Sequence, residues 1–396
     1  MSLGNTETTR TGIRNLCSKF GYPSELEEIL TSISEILQRT YGRSLKSVIV
    51  CGSVATGDFV WRREGADVRL MSDIDAVALV EGATGRRQAS EAISGLRSGS
   101  ASSPLFHVDV SIGSPRSVRR GVATYQTAEI RDAGWLLLGQ DLRGLFPSQF
   151  QPAAAREAFF FNLWKPLLFS TLKGTQPEVY ALTVARQILD VTILAFSQAG
   201  VCLPGHRRRV QAFLTLPEEH SLATAGVRKA VNQAMRIRER GAADIDQLEA
   251  AQMETLRTSM TFLDSGMPSD WSDPTLPLRI RRLLPSRRLR RLAAEVRNEC
   301  RAGHFNPLWI RRRKETFAAA VLLFAYQYRA GGGKGPIPGD VLKWMEQHCG
   351  TRILAPQSEE FLHLLRRVYW AGQLRLRPSA AMDRNWVEPL IGLANV

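Results

Sequence analysis

Cysteine is scarce and scattered in this sequence. The 396 residues include five cysteines, at positions 17, 51, 202, 300 and 349. No two of them form a Cys-x-x-Cys pair, and their number is odd. Wide spacing of this kind indicates reduced thiols in a cytosolic protein.

A long apolar run and a secretory signal are also lacking. The longest apolar run, near Phe317–Tyr326, is too short to span a bilayer. Residues 1–5 do not show the basic segment followed by an apolar one that begins a signal peptide. We therefore expect a soluble, cytoplasmic protein that does not associate with a membrane.

Acidic residues are too few to balance the basic ones. The chain has 52 lysines and arginines against 38 aspartates and glutamates, which gives a net charge of +14. Most of the excess lies between Arg279 and Lys314, where many basic residues face only Glu295 and Glu299. Such a region suits nucleic acid or another polyanionic or acidic partner. The alternative is a solvated basic helix face in a protein from an arginine-rich proteome.

Three aspartates occur where the sequence favours strands. Asp73 and Asp75 lead into the apolar run Ala76–Val80, and Asp109 lies within the alternating segment Phe106–Ile112. Alternate side chains of a strand share a face, so Asp73 and Asp75 are predicted to point the same way. If the two strands are neighbours in one sheet, the three carboxylates meet. Like charges that close repel unless a cation lies among them, so the pattern predicts a metal site.

Carboxylate oxygens favour Mg²⁺ or Mn²⁺ over zinc at this site. Magnesium keeps few protein ligands and takes the rest from water and phosphates, so a nucleoside triphosphate is the expected companion. The apolar run Val48–Cys51 ends in Gly52 and Ser53, which supply the other half of the site. Glycine lets the backbone approach a ligand, and the serine with the following amides can donate to phosphate oxygens.

The order of Gly-Ser, Asp-x-Asp on a strand and a third Asp on a later strand resembles the nucleotidyltransferase superfamily of the DNA polymerase β type. The resemblance covers roughly the first 150 residues. It implies transfer of a nucleoside monophosphate from a nucleoside triphosphate to an acceptor hydroxyl, with release of pyrophosphate. In that reaction Asp73, Asp75 and Asp109 would be the catalytic and metal-binding residues. The gap before Asp73 is longer than in many members, and Glu64-Gly65-Ala66 predicts the turn of an inserted hairpin there.

The predicted fold class is α+β, with a small mixed-sheet domain followed by a largely helical C-terminal region. We expect a nucleotidyltransferase domain over residues 1–150, a helical bundle over 151–267 and a basic helical domain over 275–396. By the resemblance, Lys165, Tyr180 and Arg186 of the bundle are candidates to contact the triphosphate or base. The alternative is that each is a residue at the edge of the core with a solvated tip.

Local patterns predict several further elements. Residues 1–22 are polar and are expected to be loosely ordered. Ser24 and Glu27 form the pattern of a capping box at the start of a helix. A helix is expected from Ser114-Pro115 to Ala133, because proline is favoured at the first helical position, and a strand at residues 135–139.

The acceptor is expected to be a small hydroxylated molecule. The alternatives are RNA, bound through the basic region, and a second nucleotide, as in cyclic-nucleotide synthesis. A degenerate module that only binds nucleotide is the non-enzymatic alternative. Near the carboxylates, His107 is expected to form a structural hydrogen bond. Glu129 is either an alternative base or a solvated helix residue.

Overall fold

A computed structural model describes residues 4–82, 89, 92–93, 96, 103–121, 123–150, 152–241, 243–273, 275–283, 314–331, 339 and 343. These residues form a mixed α+β structure, with one small mixed sheet, one hairpin and helices across the C-terminal part. The α+β class predicted from the sequence is confirmed at this level. Most of the basic region 279–314 and of the predicted domain 275–396 lies outside the described residues.

Six strands occur in the described part of the chain. They are β1 Leu45–Cys51, β2 Trp61–Glu64, β3 Asp67–Leu70, β4 Ile74–Val80, β5 Val108–Gly113 and β6 Trp135–Gly139. Four of them form a sheet in the order β5-β4-β1-β6. Strand β1 is antiparallel to β4 and β6, whereas β4 and β5 are parallel. Strands β2 and β3 form the predicted hairpin, which turns at Gly65 with φ 67°.

Helices account for most of the remaining described chain. Those of the first part are α1 Gly4–Phe20, α2 Ser24–Tyr41, α3 Gly52–Thr56, α4 Pro115–Arg119 and α5 Tyr125–Ala133. Those that follow are α6 Pro152–Asn162, α7 Trp164–Phe169, α8 Pro177–Ser197, α9 His206–Leu214, α10 Ala225–Arg240, α11 Ile245–Leu263, α12 Leu276–Leu283 and α13 Lys314–Ala330. The described chain from residue 152 onward is largely helical, as predicted, and its arrangement as a bundle over 151–267 stays a prediction.

Apolar clusters cover both faces of the four-stranded sheet. Side chains alternate along β1, so Val48 and Val50 join a larger core with α1 and α2. Ile49 and Cys51 face a smaller core with Ile130 of α5. The smaller core lies on the sheet face that carries the candidate site.

Helix α1 contradicts the expectation that residues 1–22 are loosely ordered. Ile13 and Leu16 are fully buried in the larger core, and Thr9 is buried as well. Residues 9, 13, 16 and 20 recur at the spacing of one helix face. The prediction was wrong because this narrow stripe lies among polar residues, which lower the average hydrophobicity of the segment.

Helix α2 begins without the predicted capping box. Pro23 is the N-cap residue, and no side chain caps the helix start. Ser24 is already helical, and its Oγ donates to Glu25 at 3.2 Å. The box was predicted one residue too late, because the fixed φ of proline already suits the chain entering a helix.

The predicted helix from Ser114 to Ala133 is two helices. Ser114 caps α4 and Pro115 holds its first turn, as predicted. Helix α4 ends at Arg119, and a second start follows at Thr124, whose side chain accepts from the backbone N–H of Thr127. The second cap divides the segment, and capping side chains compete locally with a continuous helix.

The chain divides into two compact units. The first comprises Met1–Pro152 and Ala195–Thr215, and the second comprises Ala153–Leu194 and Leu216–Val396. The first division lies beside the predicted boundary at residue 150. The return of residues 195–215 to the first unit was not predicted. A separate domain over 275–396 stays a prediction.

Two carboxylates, the buried Asp58 and the half-buried Glu129, hold the returning segment within the first unit. Asp58 accepts a hydrogen bond from the backbone N–H of His206, at the start of α9. Glu129 accepts from the backbone N–H of Gly205 at 3.0 Å and from Arg209 Nη1 at 3.4 Å. The Arg209 side chain is 4% exposed, so its charge is compensated inside the protein by Glu129.

One described helix, α8, is long and apolar enough to cross a membrane. Its most apolar stretch is 89% buried inside the protein, as in the core helix of a soluble protein. The cytoplasmic location stays a prediction.

Replacing Leu16 with alanine tests the packing of α1. We expect the free energy of unfolding to fall by about 2–5 kcal/mol, because a fully buried leucine leaves a cavity. Urea denaturation measures the change, and Arg14→Ala on the exposed side of α1 is the matched control, with an expected change within about 0.5 kcal/mol. An unchanged unfolding midpoint for Leu16→Ala would show that α1 does not belong to the core.

Replacing Arg209 with methionine tests the buried ion pair. We expect a loss of about 3–5 kcal/mol in urea denaturation, because Glu129 keeps a buried charge without its partner. The double change Arg209→Met and Glu129→Gln should recover part of the loss. Arg208→Met, at an exposed position of the same helix, is the control. Equal effects of the two arginine changes would contradict the assignment.

Candidate metal centre

Strand pairing brings two of the predicted carboxylates side by side. Asp75 of β4 lies opposite Asp109 of β5 in the parallel register. Asp73 directly precedes β4 and, by alternation, lies on the same face as Asp75. Asp73 and Asp75 are half-buried, whereas Asp109 is exposed. The neighbouring strands required by the sequence prediction are therefore present.

Gly52 packs directly against one of these carboxylates. Cys51 at the end of β1 pairs with Asp75, which places the following glycine beside the Asp75 side chain. The φ of Gly52 is 61°, and a Cβ atom there would lie 2.9 Å from Asp75 Oδ2. Both the backbone conformation and the close approach require glycine. This position is a tight turn between the first strand and α3.

The Cys51 thiol lies beneath the carboxylates. Burial raises the pKa of Cys51 well above its ordinary value, and the negative charges of Asp75, Glu129, Asp109 and Asp73 raise it further. Its Sγ lies 3.4 Å from the backbone oxygen of Asp75, to which it donates. Burial and these negative charges both favour the neutral thiol. Sequence analysis did not assign this cysteine to the site, and its position before Gly52 was the available signal.

Ser53 has a hydroxyl group with unused hydrogen-bonding capacity. Its Oγ atom is buried and has no hydrogen-bond partner among the described residues. Its backbone oxygen accepts from the Tyr22 hydroxyl at 3.2 Å, and that hydroxyl also donates to the Val54 oxygen at 2.9 Å. The backbone of α3 is thus anchored to the segment before α2. An unpaired buried hydroxyl is unfavourable, and a ligand oxygen could satisfy it.

His107 faces one carboxylate of the site. Its Nε2 atom lies 3.8 Å from Asp73 Oδ2, and its Nδ1 atom lies 3.3 Å from the Leu105 backbone oxygen. The Nδ1 contact suits a tautomer that donates from Nδ1, in keeping with the expected structural hydrogen bond. The distance to Asp73 is that of an ionic contact rather than a hydrogen bond.

Glu129 is engaged in the structure of the first unit. It is 16% exposed and contacts Arg209 and the backbone of Gly205. It is therefore neither a solvated helix residue nor an uncommitted base. Its charge serves the buried ion pair.

The bundle candidates Lys165, Tyr180 and Arg186 lie in the second unit. Tyr180 is fully buried, and its hydroxyl donates to Glu249 and accepts from Arg329 Nη1 at 2.7 Å. Lys165 and Arg186 are half-buried, and the Lys165 Nζ lies 5.8 Å from the ring centroid of Trp164. A nucleotide contact by these three residues stays a prediction, and the Tyr180 hydroxyl already has two protein partners.

The residues of the first unit fit a divalent ion by chemistry. Three carboxylates supply the oxygen ligands that Mg²⁺ and Mn²⁺ prefer, and Gly52 leaves no side chain between the turn and Asp75. In the described part of the chain, no three or more His, Cys, Asp or Glu side chains are grouped so that they could hold a metal ion. Carboxylates without a cation between them repel one another and keep apart. The evidence for the site is therefore the backbone register of β4 and β5, not short distances between the side chains.

Comparison with known protein families and curated proteins does not assign the chain to a family. No protein-family model matches the chain, and no curated protein matches it significantly. The resemblance to the nucleotidyltransferases therefore stays a prediction that rests on the motif.

Manganese binding tests the candidate centre directly. We expect Asp75→Asn to weaken Mn²⁺ binding at least tenfold, because the change removes a ligand and its charge. Electron paramagnetic resonance of free Mn²⁺ measures the affinity. Asp67→Asn in the exposed hairpin removes the same charge elsewhere and should leave binding unchanged. Equal binding by the unaltered protein and Asp75→Asn would rule out the site.

Proposed function

We propose that this chain is a metal-dependent nucleotidyltransferase. It transfers a nucleoside monophosphate from a nucleoside triphosphate to an acceptor hydroxyl and releases pyrophosphate. The observation that carries the proposal is the register of β4 and β5, in which Asp75 lies opposite Asp109. Asp73 shares that face, and Gly52 packs against the Asp75 carboxylate. The sequence motif and the strand pairing thus agree on one place in the sheet.

Asp73, Asp75 and Asp109 would hold Mg²⁺ or Mn²⁺. When bound, the ion would neutralise phosphate charge and increase the acidity of the acceptor hydroxyl. The exposed position of Asp109 suits a carboxylate that accepts the proton of an incoming hydroxyl. The buried Ser53 hydroxyl, which has no partner among the described residues, would donate to a phosphate oxygen once its side chain turns toward the ligand, and Gly52 leaves room for the ligand to approach.

The proposed acceptor is a small hydroxylated molecule. This choice rests on the resemblance and on the helical region that follows the sheet. RNA and a second nucleotide are the other acceptors that the same chemistry can use. A protein that binds nucleotide without transfer is the non-enzymatic alternative. The product that carries a labelled phosphate distinguishes the three acceptors, and the absence of any labelled product indicates the non-enzymatic alternative.

A transfer assay tests the proposal. The protein is incubated with each α-labelled nucleoside triphosphate and Mg²⁺ or Mn²⁺, with a small-molecule extract in one set and total RNA in another. We expect label on a small product and a loss of at least about 100-fold in Asp75→Asn, because a catalytic carboxylate is removed. Thermal stability should not fall in this variant, since one charge of a repelling cluster is gone.

Asp67→Asn is again the matched control and should retain full activity. Label on RNA or on a cyclic nucleotide would support nucleotidyl transfer but identify a different acceptor. Undiminished transfer by Asp75→Asn would overturn the site assignment. Nucleotide binding without transfer to any acceptor would favour the non-enzymatic alternative.

A further inference from the structure

A surface cavity of about 620 Å³ opens where the parallel strands β4 and β5 end. Glu81 and Gly82 follow β4, and Ser114 and Pro115 follow β5. Parallel strands end at the same edge of a sheet, and the crevice beyond their carboxyl ends is a common place for ligands. The lining residues all belong to the first unit.

The charge of this cavity is positive and unbalanced. Arg116, Arg119 and Arg120 line it, and all three are exposed. Within the described chain, none of their three guanidinium groups has a hydrogen bond or an ion pair. The acidic lining residue, Glu81, has its carboxylate 3.0 Å from Lys46 Nζ, so its charge is already compensated.

Arg116 is placed to repel each of the other two arginines. Helix α4 is fixed by the Ser114 cap, and Arg116 precedes its last residue, Arg119, by three positions and its C-cap residue, Arg120, by four. Residues at these spacings are neighbours on a helix surface, where like charges are destabilising. An anion bound between the guanidinium groups would remove that repulsion.

The chemistry of the lining residues limits the class of ligand that the cavity can bind. Guanidinium groups match phosphate oxygens in a bidentate geometry. The volume lies in the range of about 300–1,000 Å³ that small ligands occupy. Among the described lining residues there is no aromatic side chain on which a nucleobase could stack. We infer that the cavity binds a compact group of phosphates, either a free oligophosphate or consecutive phosphates of an RNA chain.

This site is separate from the carboxylates. Asp75 lies near the start of β4 and Glu81 lies just beyond its end. Six residues of extended chain span roughly 20 Å, which is too far for one triphosphate to bridge. The inference therefore does not depend on nucleotidyl transfer.

Calorimetric titration of the full chain with inorganic tripolyphosphate tests the inference. The buffer contains EDTA, so that divalent ions cannot bring phosphate to the carboxylates. One variant carries Arg116→Gln, Arg119→Gln and Arg120→Gln together. The matched control carries Arg39→Gln, Arg63→Gln and Arg208→Gln, which removes three exposed charges of the same unit away from the cavity. We expect affinity at least tenfold lower in the cavity variant and unchanged in the control.

A parallel titration uses a labelled single-stranded RNA and fluorescence anisotropy. Selective loss of tripolyphosphate binding in the cavity variant assigns the site to a free oligophosphate. Selective loss of RNA binding, with no binding of tripolyphosphate, assigns it to an RNA backbone. Binding of neither ligand to the unaltered protein, or equal weakening in both triple variants, would overturn the inference. Circular dichroism of both variants confirms that they are folded.

Discussion

Strand β4 lies between β1 and β5, and Asp75 is its second residue. Its parallel register sets Asp75 opposite Asp109, and its antiparallel register sets the same residue opposite Cys51. A slip of one residue between β1 and β4 would turn Asp75 toward the larger apolar core, and a slip between β4 and β5 would turn Asp109 away from Asp75. The backbone hydrogen bonds and the buried run Ala76–Val80 therefore hold together carboxylates that would otherwise move apart. The close approach of Gly52 depends on the same registers.

A second set of charges fixes the surroundings of the sheet. Asp58 and Glu129 bind the start of α9, and Arg209 carries the compensating charge. The segment that returns from the second unit thereby becomes part of the first. Glu129 reaches α9 from α5, the helix that packs over the smaller core. The Glu129 carboxylate thus binds α9 to the first unit. The exposed carboxylate of the candidate centre is Asp109.

The sequence allowed the strands and their aspartates to be predicted, because alternation and apolar runs are local signals. It did not reveal α1, whose narrow buried stripe around Ile13 and Leu16 lies among polar residues. Nor did it reveal the partners of Tyr180, since Glu249 and Arg329 are 69 and 149 residues away. Such pairs depend on how helices pack, which no local pattern records. The metal, the nucleotide and the acceptor rest on the motif and its geometry.

The most direct test is a crystal structure grown with Mn²⁺ and a non-hydrolysable nucleoside triphosphate. The anomalous signal of manganese locates the ion without reference to any assumed mechanism. We expect a peak in contact with the carboxylates of Asp75 and Asp109, and phosphate oxygens completing its coordination. A peak elsewhere, or triphosphate bound away from these strands, would contradict the account.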